Sequence, residues 1–179
     1  MNSNRRLVLG LAALIPAGLW RARSARAAPA EGRLPAGGPL HRFVGAWRGD
    51  ITVESAGGES AHYVQDNRFA WTLGGRFLEE RGTDTNGGAF VGMWSFEGRA
   101  NSYRAHYFLA PSGDVVALSH VWDEAKLTFS GSAELPGGLR MLAEDRFLGR
   151  DSYVWTITVQ DSKGVTLART QGKERRVRS

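Results

Sequence analysis

From residue 43 onward, the chain alternates runs of aromatic and β-branched residues with turns rich in Gly, Asn, Asp and Pro. Within many runs, apolar and polar side chains alternate, which is the period of a strand that buries one face. No stretch shows the period of about 3.6 residues that marks an amphipathic helix. The pattern predicts about ten strands, near residues 43–54, 60–72, 75–84, 88–96, 102–110, 113–121, 125–133, 138–148, 152–160 and 164–174.

Short turns between successive strands favour an antiparallel meander. Closing such a meander into a barrel pairs both edge strands, which would otherwise expose unpaired backbone groups. The predicted fold class is therefore all-β, a single antiparallel up-and-down barrel of about ten strands. A barrel of this size has room for one small ligand. A two-sheet sandwich would need longer crossover connections, and the sequence shows none.

The first 27 residues have the layout of a cleavable export signal. Arg5 and Arg6 precede an apolar run over 7–20, and small residues at Ala25 and Ala27 form a cleavage site. The arginine pair resembles a twin-arginine signal, with the general secretory route as the alternative. The run is shorter than the roughly 20 apolar residues of a membrane span, so no stable membrane insertion is expected after cleavage. These features predict a periplasmic or secreted protein.

The remaining chain divides into a Pro- and Gly-rich flexible leader over 28–39, a barrel domain over 40–175 and a basic tail over 176–179. The net charge is +5, from 23 Lys and Arg against 18 Asp and Glu. The signal contains five arginines and no acid, so its removal leaves 18 basic and 18 acidic residues. Nucleic acid is therefore not an expected partner. The chain has no Cys, which excludes disulfides and a lipoprotein anchor.

Strand alternation assigns one side of each strand to the barrel interior. The inward sets combine aromatic rings with a few hydroxyl and amide groups, as in a small-molecule pocket. A filled core without a cavity is the structural alternative. The candidate ligand-binding residues share these inward-facing positions and are Trp47, Tyr63, Asn67, Phe69, Trp94, Tyr103, Tyr107, Met141, Tyr153 and Trp155.

Candidate catalytic and metal-ligating residues are few. His106 and His120 lie on neighbouring predicted strands, where a hairpin centred near residue 112 would place His106 opposite Leu118 or Ser119. Such a register would allow contact between the two histidines, although no pair has typical metal-ligand spacing. Asp145 shares a face with apolar residues and is expected to point inward. A buried carboxylate needs a partner, and the candidates are Arg68, Arg76 and Arg146.

The ordered motifs of the chain resemble a bacterial family of lipocalin-like (calycin) barrels of unknown function. Gly45 and Trp47 form the Gly-x-Trp opening, and residues 73–77 read Leu-Gly-Gly-Arg-Phe. On the predicted strand over 88–96, Gly92 precedes the aromatic residue Trp94. The resemblance covers residues 40–174 and implies the fold, with Trp47 packed across the closed end, but no reaction. One departure is Glu97, where family members often have Asp.

The Gly-x-Trp opening is also similar to that of haem-binding barrels of the nitrobindin type. Those proteins continue with a Gly-rich, Tyr-Pro pattern, whereas residues 48–52 here read Arg-Gly-Asp-Ile-Thr. The leading hypothesis is an exported, non-enzymatic barrel that binds a small hydrophobic or amphipathic ligand without a cofactor. The alternatives are an isomerase or hydrolase with Asp145 or a histidine as base, a haem-binding barrel, and a structural or interaction module.

Overall fold

A computed structural model describes residues 38–178, so the predicted signal and nearly all of the predicted leader lie outside the described residues. The described chain forms ten antiparallel strands, each paired with the next, and the last pairs with the first to close a barrel. The predicted fold class is confirmed. The strands are β1 (Gly45–Ser55), β2 (Ser60–Thr72), β3 (Phe77–Asp84), β4 (Ala89–Glu97), β5 (Ser102–Ala110), β6 (Val115–Asp123), β7 (Thr128–Leu135), β8 (Leu139–Phe147), β9 (Ser152–Gln160) and β10 (Thr166–Arg176).

Within residues 38–178, three short 3-10 helices accompany the strands, at Pro39–Phe43, Leu73–Gly75 and Pro136–Gly138. Among residues 38–178, no helix combines the length and the apolarity that a membrane crossing requires. Strand β10 ends at Arg176, two residues beyond the predicted end of the last strand at 174.

Tight turns close the hairpins where the sequence predicts them. In the β3–β4 turn, Asp84 Oδ1 accepts hydrogen bonds from the amides of Asn86 at 2.7 Å and Gly88 at 3.0 Å. Gly87 between them has a φ of 85°, which residues with a side chain rarely adopt. Asp-Thr-Asn-Gly is therefore a turn sequence for a mechanistic reason: it supplies both the side-chain acceptor and the left-handed residue.

One end of the barrel is closed by the helix Pro39–Phe43. Leu40 and Phe43 of this helix are 1% exposed. The Phe43 ring lies 4.8 Å from that of Phe147, 5.1 Å from that of Phe69 and 5.3 Å from that of Tyr153, measured between ring centroids. These contacts make a continuous aromatic core at this end.

Arg176 on β10 connects the helix Pro39–Phe43 to the barrel wall. Its guanidinium lies 4.1 Å from the centre of the Trp47 ring and donates hydrogen bonds to the carbonyls of Arg42, at 2.9 Å, and Val44. The Trp47 indole N–H donates to the Phe43 carbonyl at 2.6 Å. Trp47 therefore packs across the closed end, as the family resemblance implies. We call the other end, with the β1–β2, β3–β4, β5–β6, β7–β8 and β9–β10 turns, the open end.

Candidate functional site

The lumen differs between its two halves. At the closed end the inward side chains form the buried aromatic core. Towards the open end, inward side chains such as Met141, Ala143, Trp155 and Ile157 remain half-buried. The inward Ala133 and Val159, which pair with Met141, are buried, so the solvent-accessible space lies beside the half-buried residues alone.

The ten sequence-predicted ligand-binding residues all lie on the inward-facing register. Ligand contact itself stays a prediction for each of them. The structure places the ten residues at three levels of the lumen. The closed-end core contains Trp47, Phe69, Trp94, Tyr103 and Tyr153. A polar layer above it contains Asn67, Tyr107 and Trp155, and the open half contains Tyr63 and Met141. The closed-end five are packed against one another, so the middle and upper levels carry the accessible candidates.

The polar layer contains three carboxyl groups that project into the lumen from different strands. We call Glu80 on β3, Asp145 on β8 and Glu174 on β10 the carboxyl cluster. Glu80 is 6% exposed, Glu174 is 1% exposed and Asp145 is half-buried. Each side chain reaches the lumen because it sits on the same register as buried apolar neighbours: Glu80 opposite Phe69, and Asp145 opposite Phe129.

Glu80 accepts hydrogen bonds from two aromatic side chains. Its Oε2 receives the Tyr107 hydroxyl at 2.9 Å and the Trp94 indole N–H at 3.4 Å. Burial raises the pKa of Glu80 to about 8, and the negative charges of Asp145 and Glu174 add to the increase. The two hydrogen bonds act in the opposite direction, since they favour the carboxylate. Burial dominates because both donors are neutral.

Only one of the two carboxylate oxygens of Glu174 accepts hydrogen bonds within residues 38–178. Its Oε1 receives the Trp155 indole N–H at 3.1 Å and the Asn67 amide at 3.5 Å. Gln65 orients that amide by donating to Asn67 Oδ1 at 3.1 Å. Glu174 Oε2 is buried and has no hydrogen-bond partner within residues 38–178. Burial raises the pKa of Glu174 to about 7, while the Trp155 bond opposes the increase.

Asp145 points inward, as expected, but without the predicted arginine. Arg68, Arg76 and Arg146 are exposed outside the lumen, so the expectation that one of them pairs with Asp145 is wrong. The reason is strand parity for Arg146, which directly follows Asp145 and faces the other side. Burial raises the pKa of Asp145 to about 7, with further contributions from the charges of Glu144 and Glu174.

Arg176 is the one basic residue on the inward register of the described strands, and it is engaged at the closed end. The carboxyl cluster therefore has neutral donors and no cationic side chain beside it within residues 38–178. No group of three or more acidic or histidine side chains in this part of the chain is arranged to hold a metal ion.

His120 adds a buried imidazole to the layer. It is 2% exposed, and its ring lies 4.7 Å from the Trp94 ring at 33°. Burial lowers the pKa of His120 to about 4, and Nδ1 has no hydrogen-bond partner among the described residues. His106 pairs with Ala117 and faces outward, three rungs from the Tyr103–His120 pair. The predicted register, His106 opposite Leu118 or Ser119, is therefore wrong, and the observed register places the two histidines on opposite faces, which does not allow the contact considered from the sequence.

Glycines on neighbouring strands make room for these side chains. A Cβ at Gly49 would stand 2.2 Å from Glu174 Oε1, and one at Gly131 would stand 2.3 Å from the His120 ring. Gly172 lies in the same way beneath the Trp155 ring. Sequence reasoning considered His120 only together with His106, and it did not single out Gln65, Glu80 or Glu174 as site residues. Inward glycines paired with inward polar residues were the available signal.

Two of the pockets formed by residues 38–178 lie on the outside of the barrel. One of about 910 Å³ is at the closed end, between Arg42, Arg150 and Arg178, and borders Gly38, where the described residues begin. The other, of about 340 Å³, is on the outer face of β7 and β8 beside Glu144. Neither pocket contains a predicted ligand-binding residue.

Solved structures with the same fold include three natural proteins. An Rv2717c protein from M. tuberculosis has a TM-score of 0.62 and 15% identity, over 78% of this chain and 95% of that one. A protein of unknown function from the DUF3598 family of Nostoc punctiforme PCC 73102 has a TM-score of 0.58 and 13% identity, over 77% of this chain. The S-type phycobiliprotein lyase CPES from Guillardia theta has a TM-score of 0.57 and 12% identity, over 78% of this chain and 91% of that one.

These likenesses show a lipocalin-like barrel and nothing finer, because the identities are low. The chain spans about half (49%) of the length of the Nostoc protein. No family model matches the sequence. No curated protein matches it either.

Proposed function

We propose that this protein is an exported binding protein that holds a small amphipathic ligand in the lumen of its barrel. The observation that carries the proposal is the contrast between the two halves of the lumen. The closed end is packed with aromatic rings, whereas inward apolar side chains at the open half, such as Met141 and Ile157, remain half-buried. Apolar walls above a few fixed polar groups are the usual composition of a small-molecule site.

The polar layer lies between the aromatic core and the open half, and this position favours an amphipathic ligand over a wholly apolar one. The apolar part would lie against the open-half walls, and the polar part would meet the carboxyl cluster. A wholly apolar molecule would cover Glu80 and Glu174 without replacing their lost hydration, which is unfavourable. A phycobiliprotein lyase is among the solved structures with this fold, and the shared fold is compatible with ligand binding in this chain.

Binding is tested by filling the lumen. In Ala143→Phe, the new ring enters the open half, because Ala143 is inward and half-buried. We expect this variant to remain folded and to lose the thermal stabilisation that a panel of amphiphiles gives the unaltered chain. Leu142→Phe places the same ring on the outer face and is the matched control. Stabilisation that survives in Ala143→Phe would contradict binding in the lumen.

Acid–base catalysis is the second candidate, because the carboxyl cluster titrates near neutrality. The pKa of Glu80 is about 8 and that of Asp145 is about 7, values suited to proton transfer at neutral pH. A medium-chain methyl ketone incubated with the protein in D₂O tests this function. A base in the lumen would remove an α-proton and return deuterium to the same carbon. Deuteration that disappears in Glu80→Gln would support catalysis, and no deuteration above the buffer rate would exclude it for this substrate class.

Export is tested on the arginine pair of the predicted signal. Replacing Arg5 and Arg6 by lysine should retain the full-length chain inside the cytoplasm if the twin-arginine route is used. Fractionation followed by N-terminal sequencing would locate both the protein and its cleavage site. Unchanged export would indicate the general secretory route. In a separate measurement, a native mass spectrum and an absorption scan of the exported protein would identify a co-purified ligand or haem.

A further inference from the structure

Within residues 38–178, the carboxyl cluster faces the lumen with no cationic side chain beside it. Glu80 and Glu174 are more than nine-tenths buried, and Asp145 faces the same space. Their hydrogen-bond donors are two indoles, a phenol and an amide, all of them neutral. A buried carboxylate without a cation beside it is costly, so these side chains favour the protonated form, and an organic cation among them would replace the protons.

An unpaired carboxylate oxygen is a second observation that favours a bound cation, independent of the number of carboxyl groups. Glu174 Oε2 is buried and receives no hydrogen bond, although Oε1 of the same group receives two. The side chain lies against Gly49, where a Cβ would leave it no room. Native proteins rarely leave a buried carboxylate oxygen without a donor. A donor from outside the described residues is therefore the missing element at this position.

The surroundings favour an organic nitrogen cation over a metal ion. The three carboxyl groups project from separate strands, and no described group of acidic or histidine side chains has the arrangement of a metal site. The Trp155 ring beside Glu174 is half-buried, and an aromatic face attracts an alkylammonium group. Asp145 is the most accessible of the three carboxyl groups, so it is the first that a ligand entering from the open end meets.

We propose that the lumenal ligand is an amphipathic organic cation, with a protonated amine or a related nitrogen group seated among Glu80, Asp145 and Glu174 and an apolar portion directed towards the open end. This inference rests on the proposed binding function and adds the chemical class of the ligand.

The test compares three molecules with the same tail, namely decylamine, decanol and decanoate, each below its micelle concentration and at pH 7. Calorimetry on the full chain should give a dissociation constant for decylamine at least tenfold below that for decanol, with decanoate weakest. Amine binding should also release protons, seen as a binding enthalpy that depends on the ionisation enthalpy of the buffer. Decanol should release none.

Variants connect the preference to the cluster. Asp145→Asn should reduce the affinity for decylamine about tenfold and leave that for decanol unchanged, and Glu174→Gln should act in the same direction. Glu134→Gln is the control, because Glu134 is exposed on the outer face of the neighbouring strand β7. Asp145 is half-buried, so its variant remains informative if Glu174→Gln fails to fold.

The outcomes separate the two proposals. If none of the three molecules binds, binding of amphiphiles in the lumen is contradicted. If all three bind equally, or decanoate binds best, the lumen binds amphiphiles but the cationic class is wrong. If the amine preference persists in Asp145→Asn and Glu174→Gln, the amine is recognised elsewhere and the inference is overturned.

Discussion

The carboxylate of Glu174 lies directly against the backbone of Gly49 on the paired strand. A Cβ at position 49 would stand 2.2 Å from Oε1 and 2.4 Å from the carboxyl carbon. The two residues are register partners in the β1–β10 pair that closes the barrel. Gly49 is therefore what allows a glutamate to lie flat on the lumen wall.

We expect Gly49→Ala to push Glu174 away from Trp155 and to lower the free energy of unfolding by about 1–3 kcal/mol, the usual cost of overpacking. Urea denaturation measures the change, and decylamine calorimetry measures the expected loss of binding. Gly149→Ala is the control, since nothing lies within 4 Å of a Cβ there. Equal stability of the two variants would contradict the role of Gly49.

The closed end depends on Arg176 in a comparable way. Its guanidinium stacks on Trp47 and donates to the carbonyls of Arg42 and Val44, so Arg176→Ala leaves two partly buried acceptors without this donor. We expect a loss of about 2–4 kcal/mol in guanidinium chloride denaturation. Arg176→Lys should recover only part of this, because an ammonium group lacks the planar fork. Arg175→Ala, which changes the exposed neighbour, should be close to neutral.

The carboxyl cluster predicts a loss of stability as the pH rises from about 4, the unfolded pKa, through the folded pKa values of about 7 to 8. The folded pKa values of Glu80, Asp145 and Glu174 are about 8, 7 and 7, above the value of about 4 in an unfolded chain. Between the unfolded and the folded pKa values, the folded protein binds more protons than the unfolded chain. The stability that is present at low pH is therefore lost as the pH rises through the folded pKa values. His120 opposes this trend below about pH 6.5, because its folded pKa is about 4. Denaturation at pH 6.5 and 8.5 isolates the carboxyl contribution, at up to about 1.4 kcal/mol per pH unit for each proton.

Glu80→Gln should flatten this pH dependence, since it removes the group with the highest pKa of the three. Glu79→Gln is the matched control, because Glu79 faces the opposite side of the strand and pairs with Arg81 at 2.6 Å. A stability that rises between pH 6.5 and 8.5 in the unaltered chain would contradict the sign of the prediction.

The sequence predicts the barrel well because successive antiparallel strands with short turns leave few alternatives, and because alternation assigns the faces of most strands. Asp145 is recognisable as inward from its apolar neighbours alone. Glu174 is not, because Lys173 and Arg175 flank it and the run resembles a solvated end. Its burial depends on the pairing of β10 with β1, which joins residues more than 100 positions apart.

His120 shows how little separates a correct face from a wrong one. Pairing His106 with Leu118 would place the two histidines on the same face, whereas the observed partner of His106 is Ala117. A shift of one residue exchanges the two faces of a strand. The β5–β6 connection sets the register through the Leu109 amide, which donates to the Asp114 carbonyl at 2.9 Å. The sequence specifies that a turn lies there but not this bond.

The buried imidazole of His120 should remain neutral far below the usual range of histidine. Burial against Trp94 lowers its pKa to about 4, because no described group stabilises the charged ring. In a ¹H–¹⁵N NMR titration of the imidazole nitrogens, the resonance absent from His120→Gln should keep its neutral shifts down to about pH 5. Gly131→Ala should change those shifts, since a Cβ there would stand 2.3 Å from the ring. Titration of that resonance near pH 6.5 would mean that the ring is solvated, and the assignment of His120 to the buried polar layer would then be wrong.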